Sequence, residues 1–363
     1  MTDDSSTDRH ARPGQSAPGR PMRLSDHGQL IAAIPHLLGF YPTDSIVLIL
    51  VRNNLVFLTQ RIDLPTSTLH DEQLAAQVAN DVRQYADVDA IAFLVGDDAD
   101  GNGRGERHRL AVHLWDAFAR HGLVVDVYGV PTIAEGARWF DYGFPERTGT
   151  VPDPENSPMH AAAVARGLVT YPDRDALAAT LQPDPDDVLK RREALMDTLA
   201  ARPSSADPGT MQAETEQSFH LVRRQVEQVP DRTEPLTDQQ IAELSIALAD
   251  LWVRDRCLGF ALGEHAPAAE RLWTELTRQS PAPERAEAAT LLAISAYLRG
   301  DGTLAALALD RAEAAHPHHR LASMVRGAMD LGMPPATIRG IAERAVGDQH
   351  DASREAVHHR PSK

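Results

Sequence analysis

Cysteine occurs once in this 363-residue chain, at Cys257, and lysine only at positions 190 and 363. A single thiol permits no internal disulfide and no cysteine-based zinc site. Without a Gly-Lys pair there is no phosphate loop of the Gly-x-x-x-x-Gly-Lys type. A Schiff-base mechanism would have to use Lys190, which lies in the polar stretch "DDVLKRREAL", a poor setting for a desolvated amine. A Gly-x-Ser-x-Gly nucleophile elbow is also missing. No run approaches the ~18 to 20 apolar residues that a membrane span needs. The opening "MTDDSSTDRHARPGQSAPGRP" has no apolar centre, so no secretory signal is expected. Positive charge is scarce as well: 36 Lys plus Arg stand against 52 Asp plus Glu, a net charge of −16. Such a field repels a phosphate backbone. Together these absences predict a cytoplasmic protein with no nucleic-acid partner, no membrane partner and no cofactor.

What is present is apolar material for real cores, at 42% of residues, in a length that suggests two domains. Residues 1–21 are rich in Asp, Ser, Pro and Gly and predict a disordered tail, as do 346–363. Residues 22–182 predict an α/β domain. Leu30, Ile31, Ile34 and Leu38 recur at helical spacing, with Ser25 or Asp26 as the cap. Ile46 to Val51 is apolar at every position, the pattern of a strand covered on both faces. A turn at Arg52 to Asn54 leads into a returning strand, Leu55 to Asp63. Helices follow on the Leu74, Val78, Val82, Tyr85 and Leu110, Leu114, Phe118 faces, with buried strands at Ala90 to Val95 and Leu123 to Val130. That alternation predicts a mixed sheet flanked by helices. Residues 183–235 read as a polar linker with helical segments.

Residues 236–345 are helical in pattern and contain a repeat. Counted back from Pro317, the 34-residue tetratricopeptide period defines a unit at 286–319, with Leu292, Ala293, Ala305, Leu309 and Ala312 at its small or apolar positions and Gly300 at its turn. The copy upstream keeps Leu258, Gly259 and Pro283 but has Arg271 where a small residue belongs. The expectation is a tetratricopeptide-like helical-hairpin domain; an ordinary helical bundle imitates the same Ala-rich pattern.

Several segments invite chemistry. "GDDADGNGRGERHR", 96–109, joins a buried strand to a helix, where α/β sheets favour ligands. Asp98, Asp100 and Asn102 with Gly103 imitate the start of a calcium loop, but the twelfth position is Arg109 instead of glutamate. Gly101, Gly103 and Gly105 with Arg104 and Arg107 form an anion-cradle alternative. A solvated loop with no metal is the expectation. Arg138, Trp139, Phe140 and Tyr142 join one cation to three aromatic rings, either as a clamp for a planar or phosphorylated ligand or as an anchor on the sheet edge. The cluster His316 to His319 reads as solvated surface, and Cys257 as a small core residue. In "PHLLGFYPTDS", Gly39 is placed to end a helix with positive φ and Pro42 to fix a turn, leaving Tyr41, which reads as exposed, and the Asp44 carboxylate without a structural task.

"LLGFYPTDSIVLILV", followed by "RIDLP", the Arg138 to Phe140 segment, "AAAVARGLVTYPDRDALAATL" and "YLRGDGTLAALALDRAEAAHP", resembles the actinobacterial domain of unknown function 4192 over about residues 24–345. The chain departs from the Gly-Arg-Trp-Trp pattern and nearby cysteine pair of that family, reading "GARWFDYGFPERTG". The resemblance implies no particular activity. The leading expectation is a non-enzymatic interaction or regulatory protein, its α/β domain sensing a ligand or partner and its helical domain docking a protein. The alternative is an enzyme on a small phosphorylated or nucleotide-like substrate. Its site would gather Tyr41, Asp44 and Ser45 with Arg138, Trp139 and Tyr142, Asp44 as general base and Arg138 as charge clamp.

Overall fold

A computed structural model describes residues 27–53, 55–64, 68–85, 87–96, 106–165, 168–201, 207–340 and 342–344. The first half runs α1 (His27–Leu38), β1 (Ser45–Arg52), β2 (Leu55–Asp63), α2 (Asp71–Val82), β3 (Asp89–Val95), α3 (Glu106–Arg120), β4 (Val125–Val130), β5 (Arg138–Asp141), β6 (Thr148–Thr150), α4 (Pro158–Ala165) and α5 (Arg174–Ala179). Among the described residues the strands form one sheet in the order β2-β1-β3-β4-β5-β6. β3 and β4 are parallel, joined by the α3 crossover, and every other pair is antiparallel.

The continuous apolar run of β1 is explained by cover on both faces. Ile46, Leu48 and Leu50 pack with Ala92, Leu94 and Val127 beneath α2 and α3. Val47 and Ile49 face the other way, with Phe93, Val95, Tyr128 and Val130, into a core that includes α1. The β1–β2 turn uses Asn53 at φ 52°, a conformation asparagine tolerates. The segment 138–150, read in sequence as an aromatic cluster, forms the hairpin that finishes the sheet. Phe140 pairs with Gly129 and Trp139 with Gly149, each ring lying over a residue without a side chain.

The second half is helical: α6 (Asp186–Ala200), α7 (Pro208–Gln228), α8 (Asp238–Ala249), α9 (Leu251–Cys257), α10 (Ala266–Gln279), α11 (Arg285–Arg299), α12 (Gly302–Ala315) and α13 (Arg320–Asp330). The stretch 183–235 thus supplies two helices to this packing. Its sequence is polar because each buries only a narrow stripe: Arg192 and Met196 on α6, Val222 and Val226 on α7. α11 is buried almost all round, its alanines letting neighbours approach closely. α11 and α12 form a hairpin over the span 286–319, turned at Gly300 with φ 93°. Upstream, Gly259 lies inside a 3-10 turn, Leu258–Leu262, between α9 and α10. One buried core runs from Ile31 and Ile34 of α1 through Val47 and Phe93 of the sheet to Leu244, Trp273, Leu292 and Val325 of the helices.

The histidine cluster departs from its expected solvation. His316 and His318 are exposed, but His319 is buried. Its Nδ1 accepts from the Ala322 amide at 3.2 Å, capping α13, and its Nε2 donates to Glu287 Oε1 at 3.0 Å. Cys257 is buried, and burial raises its thiol far above the ordinary range. Among the described residues, no helix is long and apolar enough to cross a membrane.

Candidate functional site

Gly39, at φ 80°, ends α1 and sends the chain past Tyr171: the Tyr171 amide donates to Gly39 O at 2.8 Å and the Tyr41 amide to Tyr171 O at 3.1 Å. Tyr41 is half-buried rather than exposed and packs against the core. Burial, with Glu155 and Asp153 adding, raises its hydroxyl above its ordinary value. Asp44 sits at φ 41° with an exposed carboxylate, and Arg107 Nη2 of α3 donates to its Oδ1 at 3.2 Å. A Cβ on Gly96 would lie 2.7 Å from that oxygen and 2.5 Å from Arg107 Nη2, so the ion pair closes over a glycine. Ser45 is fully buried; among the described residues its Oγ and Arg107 Nη1 have no hydrogen-bond partner.

Arg138 is exposed at the start of β5, at the same end of the sheet as Asp44 but three strands away. Three inter-strand spacings are about 14 Å between backbones. Trp139 lies on the α1 face, with His27 at 5.5 Å and Tyr128 at 5.9 Å between ring centroids. Tyr142 is buried on the opposite face, near Phe140 at 4.8 Å and His108 at 6.2 Å. Asp44 therefore meets Arg107, while Ser45, two residues before Val47 on β1, is on the α1 face, and Trp139 and Tyr142 are divided by the sheet. Asp98, Asp100 and Asn102 lie outside the described residues. Among the described residues, no group of three or more His, Cys, Asp or Glu is placed to hold a metal ion.

Two cavities lie where the two halves meet, around the start of α12. Asp301 caps that helix, accepting from the Leu304 amide at 2.8 Å, and also accepts from Arg299 Nη2 at 3.1 Å. Arg299 holds Glu270 with two bonds, Nε to Oε2 at 3.1 Å and Nη2 to Oε1 at 3.0 Å. Burial raises the Asp301 carboxyl above the usual range, with Arg299 opposing. A Cβ on Gly39 would stand 3.9 Å from Asp301 Oδ2, so the "LLGF" connector of the first half abuts the "RGDG" turn of the second.

Two cavities flank this contact. One, of about 200 Å³, is lined by His36, Thr170, Leu177, Thr274, Arg299 and Asp301 among others. His36 Nε2 donates to Pro154 O at 2.9 Å, which leaves Nδ1 to accept from Thr170 Oγ1 at 2.8 Å. Burial lowers the His36 pKa, with the Pro154 carbonyl opposing, so the ring is held neutral. The other cavity, of about 400 Å³, takes Arg61 from β2, Tyr85 from the bend after α2, Arg174 from α5, Tyr297 from α11, Thr303 from α12 and Arg326 from α13. Tyr85 and Tyr297 donate to the carbonyls of Gly332 and Met333, successive residues after α13. Burial pushes the Tyr297 hydroxyl up to about 12, with Tyr85 adding. Arg61 pairs with Asp63 at 2.6 Å, but its buried Nε has no partner among the described residues. Sequence reading missed these groups. Arg299 and Asp301 resemble solvated turn residues, and their partners lie in elements remote along the chain.

Residues 28–336 match the family described as Domain of unknown function (DUF4192). The chain belongs to that family. The match begins in α1 and ends beyond α13, so the DUF4192 domain contains both the sheet and the helical hairpins. Every residue named around the two cavities, and the Asp44–Arg107 pair, falls inside it. Comparison with curated proteins and with solved structures returns no match.

Proposed function

We propose that this DUF4192 protein is a non-enzymatic, ligand-responsive interaction protein. It takes a small polar ligand in the 400 Å³ cavity and presents its helical half, stacked in tetratricopeptide-like fashion, to a protein partner. The supporting observation is that Arg61 and Tyr85 of the first half share that cavity with Tyr297, Thr303 and Arg326 of the second. A ligand touching both halves shifts their relative stability by its differential affinity for the two arrangements. The volume falls within the range of small-molecule sites. A thermal-shift screen of polar metabolites on the full chain should give a stabilising hit whose effect disappears in Thr303→Phe, which fills the cavity. Partners captured from the native cell should change in amount when that hit is present. A partner set indifferent to the hit rejects the relay.

A second reading, an enzyme on a small phosphorylated or nucleotide-like substrate, draws on the Asp44–Arg107 pair and the unpartnered Arg107 Nη1 at the sheet end. In it Asp44 is the general base and Arg107 the clamp, with Tyr41 and Arg138 as outlying contacts. It requires that the wild-type chain turn over a member of a phosphoester panel and that Asp44→Asn abolish the turnover. An inert wild type removes it.

A further inference from the structure

A third cavity, of about 740 Å³, is lined mostly by the helical half and shares Leu168, Glu270 and Arg299 with the 200 Å³ cavity. One wall is apolar, with Leu168, Ala261, Leu262, Pro267 and Leu298. The opposing character comes from Arg271 of α10 and Arg339, in the helical stretch 335–340, which both line it. Neither arginine has an acidic partner among the described residues. Arg299 and Glu270 also reach this cavity, but Arg299 is already engaged by Glu270 and Asp301. The charge left uncompensated at the cavity is therefore positive, in a chain where acids outnumber bases by 52 to 36. With acids in such excess, two arginines on one cavity with no carboxylate bound to either are a departure from the rest of the chain.

The chemistry of the walls selects the ligand. Arg271 is exposed and Arg339 half-buried, and guanidinium groups recognise carboxylates and phosphates by charge-assisted hydrogen bonds. An inorganic anion would leave the Leu168, Leu262 and Leu298 surface wet, and a neutral apolar molecule would leave the arginines without a counter-charge. We propose that this cleft binds an organic anion with an apolar body, its carboxylate or phosphate head between Arg271 and Arg339 and its chain against Leu168, Leu262 and Leu298. The site is separate from the 400 Å³ cavity and stands whether or not that cavity binds a ligand.

Isothermal titration of the full chain with octanoate, octyl phosphate, octan-1-ol and inorganic phosphate tests this. Expected is saturable one-to-one binding of octanoate or octyl phosphate, whichever head group the arginines prefer, at least tenfold tighter than octan-1-ol or phosphate. Arg271→Gln/Arg339→Gln should weaken the bound amphiphile at least tenfold. Should that variant fold poorly, wild-type binding must still weaken several-fold in 0.5 M salt, because the attraction is ionic. Octan-1-ol binding as tightly as octanoate, affinity unchanged in the double variant or in salt, or no saturation by either amphiphile overturns the proposal.

Discussion

Gly149 and Gly136 separate two costs that a glycine substitution can carry. A Cβ on Gly149 would lie 2.7 Å from the Trp139 ring, which itself rests near His27 and Tyr128. The ring must move, and Gly149→Ala should lose about 1–3 kcal/mol, as overpacked cores do. Gly136 has φ 78° with nothing near its would-be Cβ, so Gly136→Ala should lose only the backbone cost, about 1 kcal/mol. Urea denaturation ranks them, and near-UV circular dichroism should change for Gly149→Ala alone. At this scale the sequence was readable where the cause was local. Gly39 ends its helix with positive φ, and Cys257 sits in a core as its flanking helical pattern implied. The partner of Asp44 was not readable, because Arg107 is 63 residues away and nothing in either neighbourhood encodes the pairing. In the sequence Arg107 stands out only as part of a glycine-rich loop.

At the scale of elements, caps and buried pairs fix how helices join. His319 caps α13 through Nδ1 and meets Glu287 through Nε2. His319→Asn supplies a side-chain oxygen in place of the capping Nδ1, whereas His319→Ala loses the cap and the Glu287 contact together. The alanine variant should be less stable than the asparagine variant by about 1 kcal/mol, the ordinary worth of a cap. Faster hydrogen exchange confined to α13 would locate the effect; equal stability of the two variants would deny the cap any role. On α6, Arg192 donates to Asp184 and Asp238 and to the carbonyl of Gln279, each at 2.8 Å. Arg192→Met leaves two partly buried carboxylates without that cation and should cost about 3 kcal/mol, the low end for a broken buried pair. The α11–α12 pair was legible from apolar and small residues at helical spacing and from a glycine at its turn. The 138–150 hairpin was not, since its pairing depends on rings crossing to Gly129 and Gly149 on other strands. A polar 183–235 likewise hides helices whose buried stripe includes a charged residue.

For the whole molecule, pH response follows from which carboxylates gain partners on folding. The Asp238 carboxyl is held below its usual value by hydrogen bonds from Arg191 and Arg192. Burial pushes Glu287 up, but His319 and Arg254 outweigh it and the net shift is downward. A carboxyl lowered on folding stabilises above its unfolded pKa, about 4, and loses that contribution as pH falls through the folded value. Asp301 and Asp81, raised by burial, act in the opposite sense and gain as they protonate. Glu287→Gln should therefore flatten the loss of stability between neutral pH and about pH 3, measured as urea midpoints, while Asp301→Asn should steepen it. A Glu287→Gln profile parallel to wild type would show that the buried triad with His319 and Arg254 carries none of the acid response.

The core that passes without interruption from the sheet to Val325 also constrains how such a chain can change over generations. Each half supplies apolar surface the other must cover, and the Tyr85 and Tyr297 hydroxyls hold one short turn from both sides. Recombination that exchanged the helices of one lineage for those of another would have to match the seam residue by residue. The two halves are therefore expected to be inherited as one piece, and substitutions along the seam to be accepted in pairs.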